Sequence, residues 1–313
     1  MSVNVPGDSF PHQPVLYQEI ILAICPKSPG LYIDGTVGAG GHAWGILEAS
    51  YPDGQLLGLD IDPQALALSR QRLSVYGSRV TLMQASYANL DQTMHQMGWS
   101  SVQGIILDLG VSSMQLDTPE RGFSFKNGGP LDMRFSPNQS ISAADLVNGL
   151  PEQDLADLIW RYGEEAQSRK IARAIVMARP LTTTSQLADV ISNASGTRRG
   201  KIHPATRTFQ ALRIAVNKEL ETVEEALPKA LDALAPKGRL AIIAFHSLED
   251  RLVKQFFHRE NQDCICPPEQ PVCTCNHRAT LKIISRHVIQ ASAEEVKINS
   301  RSRSARLRVA EKI

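Results

Sequence analysis

The sequence predicts an α/β fold: a mostly parallel sheet whose chain is interrupted by an all-helical insertion. Three observations carry this reading. Short apolar runs alternate with helix-periodic stretches through the first third of the chain. The alternation stops near Val111 and gives way to a long helical pattern, and strand-like runs resume at Gly238. Strand–helix alternation of this kind is the pattern of βαβ units.

LYIDGTV (31–37) reads as the first strand, running into a Gly-rich turn, with a helix opening at His42 and reaching Ala49. QLLGLDID (55–62) is the second strand, and Pro63 sets the first turn of a helix through Leu73. VTLMQA (80–85) and QGIILDLG (103–110) are the third and fourth. From Val111 to Met133 the chain is rich in Gly, Pro and Asp and reads as a long loop; from Ser142 onward it reads as helical. Leu155, Leu158, Ile159 and Tyr162 share one face after Pro151, and Ile171, Ala174, Ile175 and Ala178 repeat the spacing until Pro180. Ser185 is the expected N-cap of a helix carrying Leu187, Val190 and Ile191. Pro204 opens a long helix toward Leu234, bent at Pro228. GRLAIIAF (238–245), LKIISRHVI (281–289) and SARLRVAEK (304–312) complete a seven-stranded sheet. The expected division is residues 1–112 with 216–313 as one discontinuous domain, and 113–215 as an inserted helical substrate-recognition domain.

A chain of 313 residues at roughly 150 per domain agrees with two domains. No apolar run approaches the roughly 18 residues of a spanning helix, and MSVNVPGDSFPHQPVL lacks the basic and apolar regions of a signal peptide, so a cytoplasmic protein with no membrane partner is expected. The composition excludes disorder, coiled coil and disulfide scaffold.

The net charge of +1 conceals segregation. Residues 1–160 carry 7 basic and 16 acidic side chains, whereas 161–218 carry 11 and 3. Residues 219–276 carry 6 and 10, and 277–313 carry 9 and 3. Basic blocks of this kind are either solvated helix faces or nucleic-acid surfaces, since Lys and Arg contacts to phosphate supply most non-specific affinity. Most of the first block is Arg161, Arg169, Lys170, Arg173, Arg198, Arg199, Lys201, Arg207 and Arg213. SGTRRGKIHPATR (195–207) reads as a phosphate grip, with His203 a residue of the helix start.

DGTVGAGGHA (34–43) places Gly38, Gly40 and Ala43 in the G-x-G-x-x-G/A arrangement after a strand, and Asp60 lies 20 residues beyond Gly40 at the end of the next strand. The glycines let backbone approach a ligand at a helix N-terminus, and the carboxylate suits both hydroxyls of a ribose. An adenosine-containing cofactor follows, with NAD and S-adenosylmethionine both open. Two residues favour S-adenosylmethionine. Asp34 ends the first strand where it would meet an amino group but repel a pyrophosphate, and Asp108 ends the fourth strand where the crevice opens.

DGTVGAGGHA, LDIDP, ILDLGVSSMQLD, ERGFSF, GPLDMR, HPATRTFQALRIAVN and FHSLEDR occur in this order from about residue 12 to 310. With them the chain resembles the bacterial 16S ribosomal RNA cytosine-N4 methyltransferases, which act on the cytidine numbered 1402 of the decoding region. The resemblance implies a class I, Rossmann-like methyltransferase sheet with an inserted helical domain, S-adenosylmethionine as methyl donor, and 16S rRNA within the small ribosomal subunit as partner. It is compatible with a homodimer. Carried over by motif, the cofactor contacts fall on Gly40, Gly41, His42, Asp60, Tyr87, Asp108 and Gln115. Tyr87 stands where the family often has Phe, which keeps an aromatic beside the adenine.

Methyl transfer to an exocyclic amine is an in-line displacement, so alignment of amine, methyl and sulfur dominates. An acceptor on the N4 protons would localise the amine lone pair, and Asp108 is the expected catalytic residue for that positioning. Amino-methyltransferases of DNA use [DNS]-P-P-[YF] at this strand end; here it reads Asp108-Leu109-Gly110-Val111, so an aromatic must come from elsewhere. Phe123 and Phe125 either stack on an extruded base or pack in the loop's own small core. Asp132, Arg134, His246, Glu249 and Asp250 are further polar candidates, His246 as an orienting group, with Ser247 and Asp250 resembling a capping box.

Cys25 stands alone and reads as a buried or inert thiol. Cys264, Cys266, Cys273 and Cys275 form a C-x-C…C-x-C group able to wrap a tetrahedral zinc, but the spacing is tighter than C-x₂-C and the resemblance implies no metal, so none is expected. Two competing readings remain: an NAD-dependent oxidoreductase, opposed by Asp34 and the basic insertion, and an RNA-binding ribosome-assembly factor without turnover, opposed by the intact Asp60 and Asp108.

Overall fold

The computed structural model describes residues 14–126, 128–196, 203–270 and 272–313. It divides into two compact units, 1–110 with 220–313, and 111–219, against the expected insertion of 113–215.

The first unit is a three-layer α/β/α structure. Its elements in chain order are α1 (Tyr17–Ile24), β1 (Leu31–Asp34), α2 (Gly41–Ala49), β2 (Gln55–Asp60), α3 (Pro63–Leu73), β3 (Val80–Gln84), α4 (Leu90–Gln96) and β4 (Val102–Asp108). With β5 (Leu234–Ala244), β6 (Leu281–Ile283) and β7 (Arg306–Lys312) from the C-terminal part of the chain, the strands form one sheet in the order β3-β2-β1-β4-β5-β7-β6, in which β7 alone runs antiparallel to its neighbours. The second unit holds α5 (Ser113–Asp117), α6 (Ala143–Gly149), α7 (Glu152–Gly163), α8 (Ser168–Met177), α9 (Thr184–Ser195) and α10 (Thr206–Asn217). Beyond it come α11 (Glu219–Ala233), β5 (Leu234–Ala244), α12 (Ser247–Glu260), β6 (Leu281–Ile283), α13 (Ala293–Ile298) and β7 (Arg306–Lys312).

The near-continuous apolar strands follow from burial on both faces. Ile33, Leu57, Leu59, Ile105, Leu107, Leu240 and Ile242 point to one face and pack against α4, α11 and α12 through Met94, Leu227 and Phe257. The alternate residues Tyr32, Leu56, Ile106, Ala241 and Ile243 face α1, α2 and α3 through Ile20, Ile46 and Leu66. The second unit has a core of its own, in which Leu155 and Ile159 meet Ile171, Ile175, Leu187 and Leu212. Among the described residues no helix is long and apolar enough to cross a membrane.

Several local expectations are corrected. The segment 281–289 is a strand only over Leu281–Ile283, with Ile289 making an isolated bridge to Leu307. The long helix from Pro204 is broken at Lys218: Lys218 takes a left-handed conformation (φ 50°) and caps α10 on Ile214 O, and Pro228 lies inside α11. Across that corner Glu219 accepts two hydrogen bonds from Arg213, from Nε at 2.7 Å and Nη2 at 2.8 Å. The N-cap of α9 is Thr183, whose hydroxyl accepts from Gln186 N–H, and not Ser185. Cys25 is exposed as the C-cap of α1.

Asp250 straps α12 to β7. Its Oδ1 accepts from Arg308 Nε at 2.6 Å, and its Oδ2 from Arg308 Nη2 and Arg306 Nη1, each at 3.1 Å. Burial pushes the carboxyl up, but the hydrogen bonds and charges of the two arginines outweigh it and hold it below the usual range. Asp250→Ala is expected to cost about 2–3 kcal/mol in denaturant unfolding, because it leaves a largely buried guanidinium without its carboxylate. An unchanged midpoint would show that the strap carries no stability.

Candidate active site

Four parallel strands end side by side at the carboxyl edge of the sheet, and the residues after them build the site. The strand order reverses between β1 and β4, the switch point at which open α/β sheets bind ligands. Asp34 closes β1 and Asp108 closes β4 on the two sides of that point, while Asp60 closes β2 one strand away. Tyr87 opens a short 3₁₀ turn after β3.

The glycine turn is shaped by its neighbours. Gly40 is the N-cap of α2 with φ 78°, a conformation that favours glycine. At Gly35 a Cβ would lie 2.5 Å from Leu107 Cδ2 and 2.9 Å from Tyr87 Cβ, so a larger residue would push Tyr87 away from the turn. Thr36 supplies a tie that its type and position alone did not reveal: its Oγ1 accepts from Asp108 N–H at 2.7 Å and fixes the end of β4 against β1.

Asp60 accepts from Gly38 N–H through Oδ2 (2.9 Å) and from Asp62 N–H through Oδ1 (2.8 Å). Each oxygen keeps a further lone pair for a ligand hydroxyl. Burial raises its carboxyl from 3.8 to about 6, against the lowering effect of these bonds. Asp34 is 1% exposed, and burial raises it to about 7, with the charge of Asp60 adding to the rise. Asp108 is raised well above its ordinary value by burial, then by the charges of Asp34 and Glu249, and its Oδ1 is a buried atom without a hydrogen-bond partner.

His42 does not relieve this accumulation. Its Nε2 lies 2.9 Å from Val15 O and must donate to it, leaving the Nδ1 lone pair 3.9 Å from Asp108 Oδ2. Burial lowers the imidazole to about 4, so it is neutral at pH 7. Three carboxyl groups, Asp34 buried and Asp60 and Asp108 partly buried, thus line one sheet edge, and among the described residues none of them has an ion pair with Lys or Arg. Such a site fits a ligand that brings positive charge together with a ribose.

The other candidates have structural partners of their own. Gln115 belongs to the second unit, where it forms the capping box of α5 with Ser112. The box of α12 is built from His246 and Glu249 rather than Ser247 and Asp250: His246 Nδ1 accepts from Glu249 N–H, and Glu249 Oε2 accepts from Phe245 N–H at 2.9 Å. Asp132 and Arg134 pair with each other, Oδ1 with Nε at 2.9 Å and Oδ2 with Nη2 at 2.7 Å, and so hold a turn in the second unit. Phe123 is buried in that unit's core and stacked on Phe135 at 5.7 Å, so it is not available to a base. Phe125, half-buried, stacks on His203 at 4.5 Å and meets Phe209 edge-on. His203 Nδ1 accepts from Ala205 N–H just before α10, the helix-start role expected of it. Of the basic block, Arg161, Arg169, Lys170, Arg173 and Arg207 are exposed, Arg213 is spent on Glu219, and Arg198, Arg199 and Lys201 lie outside the described residues.

A seven-stranded sheet with one antiparallel strand at this position, a glycine turn after β1 and carboxylates ending β1, β2 and β4 define an S-adenosylmethionine-dependent methyltransferase. The profile of the MraW methylase family matches residues 9–313, and the chain belongs to that family. It is 55% identical over 304 residues to a ribosomal RNA small subunit methyltransferase H of Dehalococcoides mccartyi, covering 97% of this chain and 87% of that one. It is 51% identical over 310 residues to the protein of the same name from Heliobacterium mobile, covering 97% and 99%. A third such relative, from Geobacter sp., is 50% identical over 311 residues, covering 98% and 100%.

Proposed function

We propose that the chain transfers a methyl group to the exocyclic N4 of a cytidine, position 1402, in 16S ribosomal RNA of the small subunit. The observation that carries the chemical part is Asp108: a strand-end carboxyl with one buried oxygen free of any partner, at the switch point of the sheet. The RNA part rests on the name shared by the relatives and on exposed basic side chains of the second unit, among them Arg161, Arg169, Lys170, Arg173 and Arg207.

S-adenosylmethionine supplies an electrophilic methyl on a sulfonium. The residues present suit its other features. The N-terminus of α2 offers the N–H groups of Gly41 and His42, Gly40 shaping the turn with its own N–H held by Val37 O at 2.7 Å, Asp34 offers a carboxylate for the amino group, Asp60 serves the ribose, and Tyr87 provides an aromatic face. Asp108 has two tasks in sequence. A cation beside it lowers its pKa and favours the carboxylate. The carboxylate then accepts an N4–H, localises the amine lone pair along the line of attack, and can take the proton released once the new N–C bond has formed. Thr36 keeps it in register through its backbone. Gly110, two residues past the strand, has a positive φ of 96° that favours glycine, at a position where the amino-methyltransferases of DNA carry a proline.

The test is transfer of labelled methyl from S-adenosylmethionine to small subunits lacking the modification, followed by nucleoside mass analysis and mapping of the site. N4-methylcytidine at the decoding region is expected. Methylation of a different atom or RNA overturns the assignment, and tight cofactor binding without incorporation points to a binding role instead. In the same assay, charge reversal at both Arg169 and Arg173 is expected to weaken RNA binding at least tenfold and to flatten its salt dependence.

A further inference from the structure

We infer that Cys264, Cys266, Cys273 and Cys275 form a structural zinc site that closes the segment between α12 and β6, contrary to the expectation of no metal. Their four sulfurs all lie within 4.8 Å of one another. Cys264 and Cys273 are 3.5 Å apart, Cys273 and Cys275 3.6 Å, and Cys275 and Cys264 3.8 Å. A zinc ion with Zn–S bonds of about 2.3 Å sets tetrahedral sulfurs about 3.8 Å apart. The observed triangle has the edge length of that polyhedron. Two disulfides would instead sort the sulfurs into pairs, and here Cys264, Cys273 and Cys275 are mutual neighbours, so no pairing is singled out.

The backbone around the sulfurs is arranged as a thiolate cage requires. Ile265 N–H, between the first two cysteines, points at Cys275 Sγ (3.5 Å), and Thr274 N–H, between the second two, points at Cys266 Sγ (3.4 Å). Each C-x-C turn therefore donates to the last sulfur of the other. Amides aimed at sulfur offset the −2 charge that four thiolates leave around a divalent ion. His277 is not a fifth ligand, since its Nε2 lies 3.1 Å from Arg259 O and is used to tether the segment to the end of α12.

The segment has little else to hold it. No described residue of 261–280 is buried, and its apolar side chains Ile265 and Val272 are 40% and 69% exposed. Its ends are pinned by Ala279 N–H to Asp263 Oδ1 and Thr280 N–H to Glu260 O. A coreless segment of this length is one for which a metal replaces burial as the source of order. On binding, four thiols become thiolates and release up to four protons, with no change of oxidation state. A four-thiolate tetrahedral set favours zinc over the oxygen-seeking ions.

The full chain, purified with reductant present, is expected to contain about one zinc per chain by elemental analysis, and less than about a tenth of that in Cys264→Ser/Cys273→Ser. A thiol reagent should modify one cysteine, the exposed Cys25, in the loaded protein and all five after chelation and denaturation. Should the double variant not fold, the metal-stripped wild type decides: it should take up one equivalent of cobalt(II) with the visible spectrum of a tetrahedral tetrathiolate, displaced by zinc. Five free thiols without metal, disulfides among the four cysteines, iron in place of zinc, or failure to bind cobalt would each overturn the site.

Discussion

Asp108→Ala is expected to lower methyl transfer by roughly 10²–10⁴-fold while leaving the fold intact. The fold should survive because Asp108 makes no side-chain hydrogen bond through Oδ1, and its backbone N–H, which holds the strand end to Thr36 Oγ1 at 2.7 Å, is untouched by the change. Removing a partly buried carboxyl whose ionised form is penalised by burial, by Asp34 and by Glu249 should stabilise the empty protein slightly. Asp108→Asn separates the two parts of its role. The amide oxygen still accepts an N4–H, but no charge answers the cation and no proton can be taken up, so a loss intermediate between wild type and alanine is expected. The measurement is single-turnover methyl transfer with cofactor affinity determined separately. A loss confined to affinity would make Asp108 a cofactor ligand only, and normal turnover in the alanine variant would remove it from the mechanism.

How much of this was readable beforehand depended on whether a feature is local. Asp34, Asp60 and Asp108 could be placed at one sheet edge from sequence because each ends an apolar run, and parallel strands ending in register bring such residues together. Their shared charge problem could not be read, because it arises from burial, which also keeps His42 neutral against the opposing pull of its hydrogen bond to Val15 O, 27 residues away. Capping was misread where two residues compete: Ser247 is the commoner cap, but His246 has the extended backbone (φ −136°) and Glu249 beneath it. The break at Lys218 carries no Gly or Pro, and what holds it is the pairing of Arg213 with Glu219 across the corner. Phe123 has its fate decided by Phe135, twelve positions on, and by a core assembled from five later helices. Convergence of the four cysteines is a property of two turns meeting, and spacing alone made it look unfavourable.

Asp34→Asn should weaken cofactor binding about 10–100-fold, the loss of one charge-assisted contact, and at the same time raise the melting temperature of the cofactor-free protein. The sign follows from linkage. Asp34 has a folded-state value of about 7 against an ordinary 3.8, so the folded protein holds this proton more tightly than the unfolded chain does. Its contribution to stability is full below 3.8 and is lost as pH rises through about 7, with an upper bound of about 4 kcal/mol for the buried charge. The cofactor-free wild type should therefore become less stable across that window, and Asp34→Asn should flatten the slope. Cofactor affinity runs the other way. A cationic ligand needs the carboxylates, so binding should weaken as pH falls through about 7 at Asp34 and then about 6 at Asp60, with the upper step missing in the variant. Binding near pH 7 should also release protons, visible in calorimetry as a dependence of the apparent enthalpy on the ionisation enthalpy of the buffer. Affinity independent of pH between 5 and 8, with no proton release, would mean that Asp34 and Asp60 are ionised before the ligand arrives, and the charge argument for this site would fail.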